Sequence, residues 1–117
     1  GLENGEAHII RNAGGIVSDD VIRSLCLSQR ALGTREIVLV HHTDCGLEKV
    51  TDDGFKNQLE AELGIKPRWS VESFVDPYAD VRQSMQRLLV TPFVDATYMR
   101  GFVYDVTTGA INEVTLD

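Results

Sequence analysis

Four consecutive apolar residues, 37–40, sit in the run EIVLVHH (36–42) and constrain the fold more than any other stretch. So short a continuous apolar run suits a β-strand buried on both faces. The residues before it, SDDVIRSLCLSQRALG (18–33), predict an amphipathic helix. Ser18 is placed to cap its first turn, Asp19 and Asp20 suit the positive end of its dipole, and Gly33 suits the left-handed position after its end. Val21, Ile22, Leu25, Cys26 and Leu32 share one stripe of that helix. Upstream again, AHIIR (7–11) reads as a strand closed by NAGG (12–15), whose glycines permit a tight turn. Strand, helix and strand within about 35 residues make a βαβ unit, so the two strands should be parallel.

The rest of the chain keeps this alternation. TDDGFKNQLEAELG (51–64) predicts a second helix, with Phe55, Leu59 and Leu63 on one face and Gly64 at its end. KPRWSVES (66–73) has no period and reads as irregular. DPYADVRQSMQRLLV (76–90) predicts a third helix, with Asp76 as cap, Pro77 at the first position, and Val81, Met85, Leu88 and Leu89 facing the core. YMRGFVYDVTTGAINEV (98–114) predicts a hairpin around TTG. The class is α/β: a mostly parallel central sheet flanked by helices and ending in a β-hairpin, in one domain over residues 1–117.

Charge and length narrow the function. Eleven Lys+Arg against eighteen Asp+Glu give a net charge of −7, which disfavours a nucleic-acid partner. No apolar run approaches the ~20 residues needed to cross a bilayer, so no membrane role is expected. Cys26 and Cys45 are too few for the disulfide framework of a small secreted domain, and a cytoplasmic setting is expected. Cys26 lies on the apolar stripe of its helix and reads as core, as do Met85, Phe55 and Trp69. His8 is expected to sit in a strand with a local hydrogen-bond partner.

Chemistry concentrates in HHTDCG (41–46). NAGG and HTDCG both end strands assigned to one parallel sheet, and ligands bind beyond the carboxyl ends of such strands. His42 and Cys45 have the H-x-x-C spacing that brings imidazole and thiolate to one zinc ion. His41 and His42 point to opposite faces of the strand, so at most one joins Cys45. Standing alone, H-x-x-C serves a structural histidine beside a structural cysteine equally well, and its place at the sheet edge favours the functional reading. A cysteine nucleophile with His42 as base is the rival, but CGLEKVT lacks the arginine of a phosphatase loop. No phosphate-binding glycine loop is present. Asp44 could orient a neighbour or cap the next turn.

Taken in order, AHIIRNAGG, SDDVIRSL, SQRALGTREIVLVHHTDCG, DVRQSM and RGFVYDVTTGAINEV resemble a β-class carbonic anhydrase of the compact bacterial and archaeal kind, from about Glu6 onward. The resemblance implies reversible hydration of carbon dioxide to bicarbonate and a proton, with zinc-bound hydroxide as nucleophile. It also implies a Zn2+ ion with His42 and Cys45 among its ligands, and a homodimer or larger assembly. Gly14, Gly15 and Gly46 are expected to shape the substrate pocket through their backbone. In that family a further cysteine and an Asp–Arg pair come from a C-x-D-x-R motif, which this sequence does not contain. CLSQR (26–30) is no substitute, because Ser28 replaces the Asp and the segment is helical. The family's motif-bearing strand lies between the two that correspond to AHIIR and IVLV. The domain is therefore expected to be N-terminally incomplete, its central strand missing and its fragment inactive, and the catalytic pair cannot be named. A same-fold carbon disulfide or carbonyl sulfide hydrolase, and a non-catalytic binding or assembly domain, are the alternatives.

Overall fold

The computed structural model describes residues 1–116. A three-stranded sheet has the order β1 (Glu36–His42), β2 (Tyr98–Tyr104), β3 (Ile111–Val114). β1 and β2 are parallel, with Ile37 opposite Met99 and His42 opposite Tyr104, and β2 and β3 form an antiparallel hairpin. Three helices accompany the sheet: α1 (Asp19–Leu32), α2 (Asp52–Leu63) and α3 (Pro77–Val90). The class is α/β, as the alternation of patterns implies.

Helix ends follow the local chemistry. The Ser18 hydroxyl accepts from the Val21 amide at the start of α1, and Gly33 closes it at φ 77°. Thr51 accepts from the Gly54 amide at the start of α2, and Gly64 closes it at φ 76°. Asp76 caps α3 ahead of Pro77. In the hairpin loop the Asp105 carboxylate accepts from the Thr107 and Thr108 amides.

The core forms on one face of the sheet. Val17, Val21, Ile37, Leu88 and Val94 make one buried cluster, against which Leu25 and the free thiol of Cys26 pack. Val81, Met85, Val103 and Val114 make the second. Gly101 permits this close seating: a Cβ there would stand 2.6 Å from Val81 Cγ1.

Four expectations are corrected. Residues 7–11 are extended and unpaired rather than a strand, with Ile9 and Ile10 exposed. A strand exists through its ladder, and one strand's width from β1 this segment finds no hydrogen-bonding partner among the described residues. β1 takes its parallel partner from β2 instead. Second, β1 is not buried on both faces: Val38 is 60% and Val40 53% exposed, because both helices of the core lie on the Ile37 side. Third, Leu32, Leu63 and Leu89 are exposed, each lying near the end of its helix and beyond reach of the sheet. Fourth, Trp69 is exposed, since the irregular segment carrying it lies over a surface cleft.

Candidate metal centre

The end of β1 carries the candidate site, and strand alternation sorts its two histidines. His41 falls on the covered face with Ile37 and is 3% exposed; His42 falls on the open face and is exposed. The chain then turns sharply. Asp44 takes the left-handed conformation at φ 53°, which a short polar side chain tolerates better than most. Cys45 starts a short 3-10 turn over Gly46–Glu48, with its amide facing the Glu48 carboxylate at 3.5 Å. Lys49 pairs with Asp44 at 3.1 Å on the surface, an interaction worth at most about 1 kcal/mol.

The hydrogen bond made by His42 fixes which nitrogen is available. Its Nδ1 lies 2.7 Å from the carbonyl oxygen of Thr43. A carbonyl only accepts, so Nδ1 carries the proton, and the neutral ring presents the lone pair of Nε2. Metal-binding histidines are oriented in this way, one ring nitrogen tied to a carbonyl and the other free for the ion. Cys45 contributes a free thiol that is 6% exposed. Nitrogen and sulfur donors on a short turn fit zinc in kind. In number they are two, and among the described residues no group of three or more His, Cys, Asp or Glu side chains is placed to hold an ion.

The NAGG block meets this turn. Ala13–Gly15 forms a 3-10 turn in which Gly14 and Gly15 take φ values of 80° and 64°. A Cβ on Gly14 would lie 2.2 Å from Leu47 Cδ1, and one on Gly15 would lie 3.2 Å from the Val40 carbonyl oxygen. Both glycines thus let the first turn close onto β1 and the Cys45 turn. Gly46 is exposed and lines, with Asn12, Ala13, Leu47, Phe55 and Trp69, a largely apolar cleft of about 470 Å³.

Behind the turn lies a pair that the sequence reading passes over. His41 Nε2 stands 2.7 Å from Asp80 Oδ2 in the first turn of α3. A carboxylate accepts, so Nε2 donates, and Nδ1 is left buried without a partner. An orphaned buried group of this kind costs about 1–3 kcal/mol. The Phe74 ring packs on the imidazole with centroids 5.5 Å apart. Phe74 is itself held, its amide donating to the Leu47 carbonyl oxygen at 3.2 Å. The adjoining segment is tied down by Asp52, whose carboxylate accepts from the Ser73 hydroxyl and the Ser73 and Glu72 amides. The Ser73 hydroxyl and amide hold the Asp52 carboxyl below its ordinary value.

His8 has a partner, but a distant one: its Nδ1 meets the Ser28 hydroxyl at 2.5 Å, and that hydroxyl also contacts Thr34 Oγ1 at 2.7 Å.

Known proteins resemble this arrangement. A sequence profile described as carbonic anhydrase matches residues 1–87. "Beta-carbonic anhydrase 1" of Mycobacterium tuberculosis (strain H37Rv) is 61% identical over 116 residues, which is 98% of this chain and 71% of that protein. A carbon disulfide hydrolase of Acidianus sp. (strain A1-3) is 48% identical over 67 residues, 57% of this chain and 32% of that protein. The crystal structure of a carbonic anhydrase from Streptococcus mutans superposes with a TM-score of 0.91 at 43% identity, over 97% of this chain and 70% of that one.

Proposed function

The chain belongs to the β-carbonic anhydrase family, and on that premise we propose that it hydrates carbon dioxide reversibly to bicarbonate and a proton, with His42 and Cys45 as zinc ligands. The observation that carries the reaction is the 61% identity to Beta-carbonic anhydrase 1 across 98% of the chain. The tautomer imposed on His42 by the Thr43 carbonyl supports its part as a ligand. Bound zinc supplies the Lewis acidity that makes water nucleophilic near pH ~7.

The chain's own residues do the rest. His42 offers Nε2, and Cys45, near the surface but shielded, offers a thiol that ligates as the thiolate. Gly14 and Gly15 bring backbone, without side chains, up to the end of β1. The apolar cleft at Gly46 suits a small, uncharged, linear substrate and keeps bulk water from crowding it. The sequence contains no C-x-D-x-R, so its contribution to the metal is His42 and Cys45. The uncovered sheet face around Val38 and Val40 supports a homodimer or larger assembly. Two free cysteines suit the cytoplasm, and no helix among the described residues is long and apolar enough to cross a membrane.

The test is zinc content together with stopped-flow carbon dioxide hydration, for the parent and for Cys45→Ser. We expect the parent to hold zinc and turn over, and the variant to lose both. A zinc-free or inactive parent overturns the reading. Turnover of carbon disulfide above that of carbon dioxide would reassign the substrate to that of the partly similar hydrolases.

A further inference from the structure

His41 is an expensive choice where it stands. The covered face of β1 is otherwise aliphatic, Ile37 and Leu39 packing against the core, and an aliphatic residue at 41 would bury no polar atom. Instead the site buries an imidazole, leaves its Nδ1 without a partner, and faces its Nε2 with a carboxylate. What such a pair supplies, and a methyl group does not, is direction. The Nε2–H···Oδ2 bond fixes the rotation of the ring and ties the end of β1 to the first turn of α3. The helix N-terminus favours the ionised carboxylate that accepts the bond. Two further contacts close the cage: Phe74 lies against the ring, and a Cβ on Gly15 would come within 3.4 Å of Nδ1. The very next residue is His42.

Resting on the zinc reading above, we infer that Asp80 and His41 are positioning residues. Through their buried hydrogen bond they hold the end of β1 so that the turn 42–45 presents His42 Nε2 and the Cys45 thiol to one ion. Neither touches metal or substrate. The pair acts on one face of the strand and its effect is read on the other.

The experiment uses the intact protein with Zn2+ and Co2+ as probes. The variants are Asp80→Ala, Asp80→Asn, and the apolar double variant His41→Leu with Asp80→Leu. Asp80→Ala should weaken zinc binding by about 10–100-fold, the usual effect of removing an outer partner of a metal ligand, and should alter the thiolate-to-cobalt absorption band. Asp80→Asn keeps an acceptor for Nε2–H and should restore most of both. The double variant should melt no lower than the parent yet keep the weakened metal affinity. Leu88→Ala, elsewhere on α3, serves as the structural control: it should lower the melting temperature and leave the cobalt band in place. Parent-like zinc affinity and an unchanged cobalt band in Asp80→Ala or in the double variant would overturn the inference. Should the double variant not fold, the two single Asp80 variants decide alone. If the parent itself holds no zinc, the zinc reading falls and this inference with it. If the parent holds zinc and the variants match it, only the inference falls.

Discussion

Replacing Gly101 by alanine tests how closely α3 is seated on the sheet that carries the metal turn. The new Cβ would lie 2.6 Å from Val81 Cγ1 and 2.7 Å from Met85 Sδ, both far inside contact distance. Met85 is unbranched and can turn aside. Val81 cannot, being fully buried and stiff about χ1. Forcing a methyl group into a filled site costs about 1–3 kcal/mol. Alanine returns about 0.5–1 kcal/mol, the conformational entropy that glycine loses in a strand. The steric cost wins, leaving a net loss of about 0.5–2 kcal/mol and ~2–8 °C in melting temperature for a chain of this length. Urea unfolding followed by circular dichroism measures it, with an unchanged m-value confirming that the folded state is what changed. Val81→Ala in the same protein makes room for the new methyl group. The double variant should therefore be more stable than the two losses added together, by about 1 kcal/mol. Strict additivity, or an unmoved midpoint for Gly101→Ala, would refute the close seating.

His42→Ala should abolish zinc retention on gel filtration, while His8→Ala should leave it intact. Asp52→Asn tests the clamp on residues 72 and 73. The folded pKa of Asp52 is depressed below 3.8, so its stabilising effect is complete above that value and is lost as pH falls through the lowered one. The variant should be less stable than the parent at neutral pH, and the gap should close below ~pH 4; parallel stability curves at all pH values would count against the clamp. Ser28→Ala removes the hydroxyl shared by His8 and Thr34 and should cost about 1–2 kcal/mol. It should also speed proteolysis and amide exchange in residues 7–11, as Ser28 is what ties His8 to α1.

How much of this could be read from the sequence depended on the range of the cause. Helix ends are set within four or five residues, by Ser18, Thr51 and Asp76 on one side and by Gly33 and Gly64 on the other, and all were legible. The hairpin was legible for the same reason, since Asp105 organises a loop of its own neighbours. Failures came where a distant partner decides. The run IVLV carries apolar side chains on both faces, and nothing in the run itself says that α1 and α3 gather on one side and leave Val38 and Val40 open. AHIIR has strand composition, yet a strand is a relation between two segments, and composition cannot supply the second. At helix ends the periodic stripe outlasts the core beneath it, which is why Leu32, Leu63 and Leu89 kept the period and lost the burial.

The candidate site divides along the same line. H-x-x-C is local and was visible; the tautomer that gives it meaning depends on a carbonyl one residue away, close in sequence but invisible without coordinates. The pair of His41 and Asp80 spans 39 residues, and a helix-by-helix reading saw in Asp80 only an acid near an N-terminus. A signal was nonetheless present. Alternation placed His41 on the covered side of β1, where an imidazole without a partner is costly. The partner had to lie on an element packed over that face, and few of those carry an acid. Of the two core helices, α1 has its acids, Asp19 and Asp20, exposed at its start, whereas Asp80 stands one residue before Val81, the fully buried contact between α3 and the sheet. A polar residue forced inside by strand alternation thus names the helix face it must meet, and here that face leads back to the turn beside His42.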